Sequence, residues 1–245
     1  MSKFRIIPVM DILNSTAVHA IKGEREKYNP LKSKIFNTSN PLEIVKKLNE
    51  KYNFDEIYIA DLDAIVKKKP NFELLSKFLK NPSLNILLDP GIIDKEDILI
   101  YSKFKLSKLI FGVETINNLD VITEGIKILG PNNVCISIDM FKGRIISNLK
   151  EFKGQIPINL VKILNDLNVK EIILLDLFRV GQKLGGVPDL YLEVRNQFRG
   201  NILVGGGIKN LDDIILLDNH NFSGALIGTA LYDGSIKINE LNKVN

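Results

Sequence analysis

Asn85-Ile86-Leu87-Leu88-Asp89-Pro90-Gly91-Ile92 returns 116 residues later as Asn201-Ile202-Leu203-Val204-Gly205-Gly206-Gly207-Ile208. Each copy is a near-continuous apolar run that ends at a glycine-bearing turn. A run without polar alternation is the pattern of a parallel strand buried on both faces. Neighbouring pieces keep the spacing. Phe111-Gly112 and Ile227-Gly228 are also 116 apart, and Ile57-Tyr58-Ile59-Ala60-Asp61-Leu62 matches Ile172-Ile173-Leu174-Leu175-Asp176-Leu177 at 115. Asp11 in Pro8-Val9-Met10-Asp11 corresponds to Asp139 in Ser137-Ile138-Asp139 at an offset of 128. Self-similarity at one long period indicates two fused half-barrels. The first half is longer by about 13 residues, which the polar stretch Asn14–Ser39 accommodates as a long loop after the first strand, placed to act as a lid.

Working outward, eight strands are expected at Phe4–Met10, Glu56–Ala60, Leu84–Leu88, Lys108–Phe111, Val134–Ile138, Ile172–Leu175, Ile202–Val204 and Ala225–Ile227. Helical patterns lie between them, at Pro41–Tyr52, Phe72–Leu79, Lys95–Ser102, Leu119–Leu129, Ile158–Leu167, Leu190–Phe198 and Leu211–Leu217. Asn40-Pro41 supplies a cap followed by proline in the first turn, and Asp94 and Asn118 can cap two later helices. Strand and helix in alternation predict an α/β protein, a (β/α)8 TIM barrel with an internal two-fold half-barrel repeat. It would be a single domain over 1–245, with half-barrels of about 1–130 and 131–245. A doubly wound open sheet is the rival arrangement.

Composition agrees and removes other classes. The chain has 245 residues, suited to a barrel of about 250; 45% of them are hydrophobic and the net charge is +4, so intrinsic disorder is excluded. No run approaches the roughly 18 apolar residues of a membrane span. The opening Met1–Asp11 lacks the apolar length and cleavage pattern of a signal peptide, so a cytoplasmic location and no membrane are expected. The basic residues are dispersed, which argues against a nucleic-acid partner. A lone cysteine, Cys135, and two histidines, His19 and His220, leave no set of metal ligands. No metal and no cofactor are expected, and chemistry falls to carboxylates, amides, hydroxyls and backbone.

Asp11 and Asp139 follow apolar runs at equivalent places in the two halves. Strands one and five of a barrel face each other across its axis, so both carboxyls would overlook one pocket. Such a pair suits general acid–base work when one member is protonated and the other ionised; taken singly, each could be a plain loop cap. Gly206 and Gly207 after strand seven, with Gly228 and Thr229 after strand eight, let backbone N–H groups close on an anion, and a short helix from Thr229 would face it. Each motif alone could be an ordinary turn. Together, at the loops where barrels hold phosphate, they predict a phosphate cradle. The first-half equivalents, Gly91 and Gly112, stand beside Asp89 and Glu114, and a carboxylate repels phosphate. One phosphate, or a second site remade for another group, is therefore expected.

Other candidates are less distinctive. Asp61 and Asp63 end strand two, where either could face the pocket or cap a loop. Asp176 and Arg179 end strand six; Arg179 could bind an anion or pair with Asp176. His19 lies in an expected hairpin near the site. His220 reads as surface, Cys135 as core, and Lys67-Lys68-Lys69 as a solvated run before a helix.

These residues resemble the HisA/HisF family of histidine-biosynthesis barrels. The matching pieces are Ile6-Ile7-Pro8-Val9-Met10-Asp11, Asn40-Pro41-Leu42-Glu43, Ile57–Ala64, Ser137-Ile138-Asp139, Gly205-Gly206-Gly207-Ile208 and Ile227-Gly228-Thr229-Ala230, in order over essentially the whole chain. Asp61-Leu62-Asp63-Ala64 is similar to the branch of the phosphoribosylformimino-aminoimidazole carboxamide ribotide isomerase. The resemblance implies an Amadori rearrangement of an aminoaldose phosphate to an aminoketose. Asp139 would protonate the ring oxygen and Asp11 would take the proton from C2. The chain departs from that branch at Asp89-Pro90-Gly91, Gly112-Val113-Glu114 and Arg179-Val180-Gly181-Gln182. The expected partner is a small sugar phosphate. Open alternatives are a divergent paralogue with a monophosphorylated substrate, a cyclase-like synthase subunit and a non-catalytic phosphate binder. Only the synthase would need a glutaminase partner, which is not expected.

Overall fold

The computed structural model describes residues 3–241. Eight parallel strands close into a barrel: β1 (Arg5–Leu13), β2 (Glu56–Asp61), β3 (Asn85–Asp89), β4 (Lys108–Gly112), β5 (Val134–Phe141), β6 (Glu171–Asp176), β7 (Asn201–Gly205) and β8 (Gly224–Ile227). Consecutive strands pair throughout, and β8 closes on β1 with Ile6 opposite Ala225. The rival open sheet is thereby excluded, since it would leave two edges.

The connecting helices begin as their capping residues require. The Asn40 carboxamide accepts from the Leu42 and Glu43 N–H groups, ahead of proline in the first turn of Pro41–Tyr52. Asp94 caps Lys95–Tyr101, and Asn118 accepts from the N–H of Val121 at the start of Asp120–Leu129. One helix, Leu62–Lys67, was hidden by the lysine run at its end; Asp61 caps it by accepting from the Ala64 N–H. Lys67, Lys68 and Lys69 are all exposed.

Apolar side chains fill two layers. The larger lies between barrel and helices, with Ile44, Ile98, Ile122, Leu160 and Val194 turned onto the outer faces of the strands. The smaller occupies the barrel interior, where Ile7, Leu87, Ile110, Cys135, Ile173 and Leu203 are sealed from solvent. Period-two alternation then decides what lies above and below. Below, Arg5, Glu56 and Glu171 meet in a charged layer: Arg5 grips Glu56 with two hydrogen bonds (2.9 and 2.6 Å) and also pairs with Glu171. Lys108 Nζ lies 3.5 Å from Glu171. Above, the same alternation aims Asp11 and Asp139 into the barrel mouth.

Both strands outrun their sequence-based ends. The aspartates sit within β1 and β5 rather than just past them, because hairpins prolong the pairing. Thr16–His19 runs antiparallel to β1, with Asp11 opposite Val18, and Arg144–Ile145 folds back on β5. The Asn14–Ser39 stretch is consequently organised: it holds that hairpin strand, a 3-10 turn at Arg25–Lys27 and the short strand Asn29–Pro30. Among the described residues, no helix is long and apolar enough to cross a membrane.

Candidate active site

The pocket opens at the carboxyl ends of the strands, where barrels carry their active sites. Asp11 and Asp139 line it from opposite strands, and Gly206, Gly207, Gly228 and Thr229 line one end. The two aspartates differ in surroundings. Asp139 is buried, and its Oδ1 accepts from Ser137 Oγ at 2.6 Å. Burial, then the charge of Glu114, pushes its carboxyl well above the usual range; Ser137 works the other way. Asp11 has no hydrogen-bond partner for its carboxyl among the described residues. Burial pushes it up to about 7, with Arg25 opposing the rise and Asp89 adding to it. Both carboxyls are therefore held above the usual carboxylate range, and Asp11 titrates close to neutral pH.

At the second-half end, the backbone takes positions that need glycine. Gly206 and Gly207 have φ of +84° and +86°, and a Cβ on Gly206 would meet the Asp176 carbonyl oxygen at 2.9 Å. The helix Thr229–Tyr232 follows Gly228 directly, as the sequence suggested. His19 comes over from the hairpin, and its Nε2 lies 3.0 Å from Thr229 Oγ1. Burial depresses the His19 pKa, so the ring is neutral at pH 7 and serves as a hydrogen-bonding group. Lys183 adds the positive charge of this end; it lines the pocket and pairs with Asp233 and Ser235.

The first-half end is built differently. Asp89 is buried with both oxygens engaged, Oδ1 accepting from the Gly91 N–H (3.0 Å) and Oδ2 from Tyr58 O–H (2.9 Å). Arg25 reaches across the mouth from the long loop to pair with Glu114 at 2.6 Å. The places that mirror the glycine cradle are thus filled by carboxyls, a phenol and a guanidinium.

Several expected contacts fall away from the pocket. Asp61 caps its helix and also accepts from the Asn71 N–H, while Asp63 is held by Asn14 and Lys67. Asp176 accepts from the N–H groups of Lys142, Gly143 and Phe178, so it ties two loops together and does not pair with Arg179. Arg179 donates to the carbonyls of Gly185 and Gly186, and Gly185 in turn donates to the Gly207 carbonyl. It braces the cradle from behind. Gly91 and Gly112 do not line the pocket. His220 is exposed and Cys135 is sealed in the barrel.

Arg25, Tyr28, Tyr58 and Lys183 line the pocket and were missed from sequence. Tyr58 was recoverable, since Glu56-x-Tyr58-x-Ala60 is one face of a strand. Arg25 and Lys183 lie in irregular loops, where no periodicity marks an inward residue.

The closed barrel thus carries two carboxyls facing across its mouth and glycine turns beside them. The family described as histidine biosynthesis protein matches residues 5–237, and the chain belongs to it as a divergent HisA-like member. It is 29% identical over 240 residues, 97% of both chains, to an uncharacterised protein of Methanocaldococcus jannaschii. It is 28% identical over 237 residues, 96% of both chains, to the 1-(5-phosphoribosyl)-5-((5-phosphoribosylamino)methylideneamino)imidazole-4-carboxamide isomerase of Lactococcus lactis. The Clostridium novyi protein of that name is 28% identical over 242 residues, 98% of both chains.

Proposed function

We propose that the chain is an aldose–ketose isomerase that converts an N-linked aminoaldose carrying one phosphate to the aminoketose. Asp139 acts as the acid. It gives its proton to the ring oxygen as the C1–O bond breaks, leaving an open-chain iminium. Asp11 acts as the base and takes the proton from C2, and the resulting enaminol tautomerises to the ketone. Protons are only moved, so the conversion needs no oxidant and no cofactor. The observation that carries this reading is the pair of carboxyls facing each other across the barrel mouth, both raised above the usual carboxylate range, chiefly by burial. The substrate phosphate rests on Gly206, Gly207, Gly228 and Thr229, with His19 and Lys183 beside it. A single phosphate is favoured because Asp89 and the Arg25–Glu114 pair fill the mirror place.

The test follows exchange of the C2 hydrogen into deuterated solvent by NMR, using an N-alkyl ribosylamine 5-phosphate. Asp11→Asn should lower exchange by about 10³-fold or more, within the span for loss of a positioned proton-transfer group. Asp139→Asn should block ring opening to a similar extent. Wild-type rates in either variant overturn the assignment. Complementation of an auxotroph lacking the isomerase of histidine biosynthesis separates substrates: a chain restricted to monophosphates fails to restore growth.

A further inference from the structure

We propose that the Tyr28 phenol is a further catalytic group of this pocket, donating a hydrogen bond to the C2 oxygen of the aminoaldose while Asp11 takes the hydrogen from the same carbon. This rests on the isomerase reading above and adds to it the group that recognises the C2 hydroxyl.

The long loop after β1 delivers Tyr28 by strand pairing. Val18 lies opposite Asp11 on one side and opposite Pro30, in the short strand Asn29–Pro30, on the other. Residues directly opposite share a face of a sheet, and so do residues two apart along an extended chain. Tyr28 precedes Pro30 by two and has extended backbone (φ −71°, ψ 129°), so it falls on the face that Asp11 and Val18 present to the pocket. Its ring packs against the interior cluster that contains Ile7, Val18, Tyr58 and Leu226. The backbone is pinned as well: the Tyr28 N–H donates to the Arg25 carbonyl (3.2 Å), and Arg25 is itself held by Glu114.

Two unpaired groups therefore share the pocket. Asp11 and Tyr28 both line it, and among the described residues neither the carboxyl nor the phenol has a hydrogen-bond partner. Burial, then the charge of Asp11, holds the phenol above its ordinary value, so it stays protonated and offers a donor at neutral pH. A sheltered donor needs an acceptor. The substrate supplies one, because C2 carries a hydrogen and an oxygen on adjacent bonds. With Asp11 on the hydrogen, its neighbour meets the oxygen. The demand is greatest in the last step, when Asp11 returns its proton to C1 and the C2 hydroxyl gives its proton to solvent. The oxygen gains negative charge as it becomes the carbonyl, and a donor already in place stabilises that transition state more than the ground state. Tyr28 keeps its own proton throughout.

The experiment uses two ligands that lack the C1 nitrogen and cannot react, 1,4-anhydroribitol 5-phosphate and its 2-deoxy counterpart, with inorganic phosphate as control. By calorimetric titration, the parent protein should bind the 2-hydroxy ligand about tenfold tighter than the deoxy one, within the range for one hydrogen bond. Tyr28→Phe keeps the ring and should shrink that preference to about twofold or less, with inorganic phosphate bound as before. Turnover should fall with it: kcat for ketone formation drops about 10²-fold while KM stays within about threefold, a split that loss of loop packing would not give. Should Tyr28→Phe unfold, the Tyr28 Cζ resonance of the parent decides, moving with the 2-hydroxy ligand and not with the deoxy one. A preference retained in Tyr28→Phe, or absent from the parent, overturns this inference and leaves the carboxyl pair standing. Failure of both ligands and of inorganic phosphate to bind the parent overturns the isomerase reading, and this inference falls with it.

Discussion

Replacing Asp11 by asparagine should make the protein more stable at alkaline pH and leave it unchanged in acid. The carboxyl is raised from 3.8 to about 7, with burial as the largest cause. A shift of roughly 3 units corresponds to about 4 kcal/mol. Asp11 keeps some contact with solvent through the pocket, so about half of that is expected. The folded chain holds this proton up to about pH 7, whereas the unfolded chain releases it near 3.8. Between those values the native state binds more protons, so stability falls as pH rises through the window and the full cost is present above it. Asparagine fills the same space without a charge. Urea unfolding at matched m-values should therefore show Asp11→Asn about 2 kcal/mol more stable than the parent at pH 8, with the gain fading to a few tenths by pH 4. A loss of stability at pH 8, or an equal gain at both pH values, would falsify the picture of a desolvated base. Asp89 provides the contrast. Its carboxyl is raised to about 6, yet both oxygens accept hydrogen bonds. An amide there can keep Oδ1 on the Gly91 N–H and donate from Nδ2 to the Tyr58 oxygen, but it gives up two charge-assisted bonds against a smaller rise, so Asp89→Asn should bring a smaller gain at pH 8 than Asp11→Asn.

Two further outcomes concern the scaffold under the site. Glu171→Gln removes a carboxylate that is 1% exposed and leaves Lys108 without its ionic partner, while Arg5 retains Glu56. Since Lys108 can still donate to the Asn132 carbonyl at 2.6 Å, the loss should sit at the lower end for a broken buried pair, about 3 kcal/mol by urea unfolding. Gly224→Ala places a Cβ 2.5 Å from the Arg5 carbonyl oxygen at the closure of the barrel. A backbone neighbour cannot swing aside, so a cost of about 2 kcal/mol is expected, read as a lowered thermal midpoint; an unchanged midpoint would show that the β8–β1 contact is looser than described.

Much of this molecule was legible before any coordinates. Uninterrupted Ile/Leu/Val runs at Leu84–Leu88 and Ile202–Val204 announced buried parallel strands, and their spacing announced the barrel. Asp11, Asp139, Gly206, Gly207, Gly228 and Thr229 were legible because each follows an apolar run, and the topology brings all such ends to one face. Asp61, Asp176 and Arg179 followed apolar runs as well, yet their side chains were spent on N–H and carbonyl groups of nearby turns. Sequence does not reveal which local backbone groups compete for a carboxylate.

What the sequence determined by itself is the alternation of elements and the presence of Asp89 and Glu114 in one half where the other has Gly205 and Ala230. What only the tertiary structure decided is the environment of those groups. The long loop carries Arg25 over 89 residues of sequence to Glu114, and strand pleating puts Tyr58 under Asp89. Distance along the chain says nothing of proximity across a closed barrel. Proton affinity depends on that proximity and on exclusion of water, so Asp11 and Asp139 rise above the usual carboxylate range only once the barrel closes.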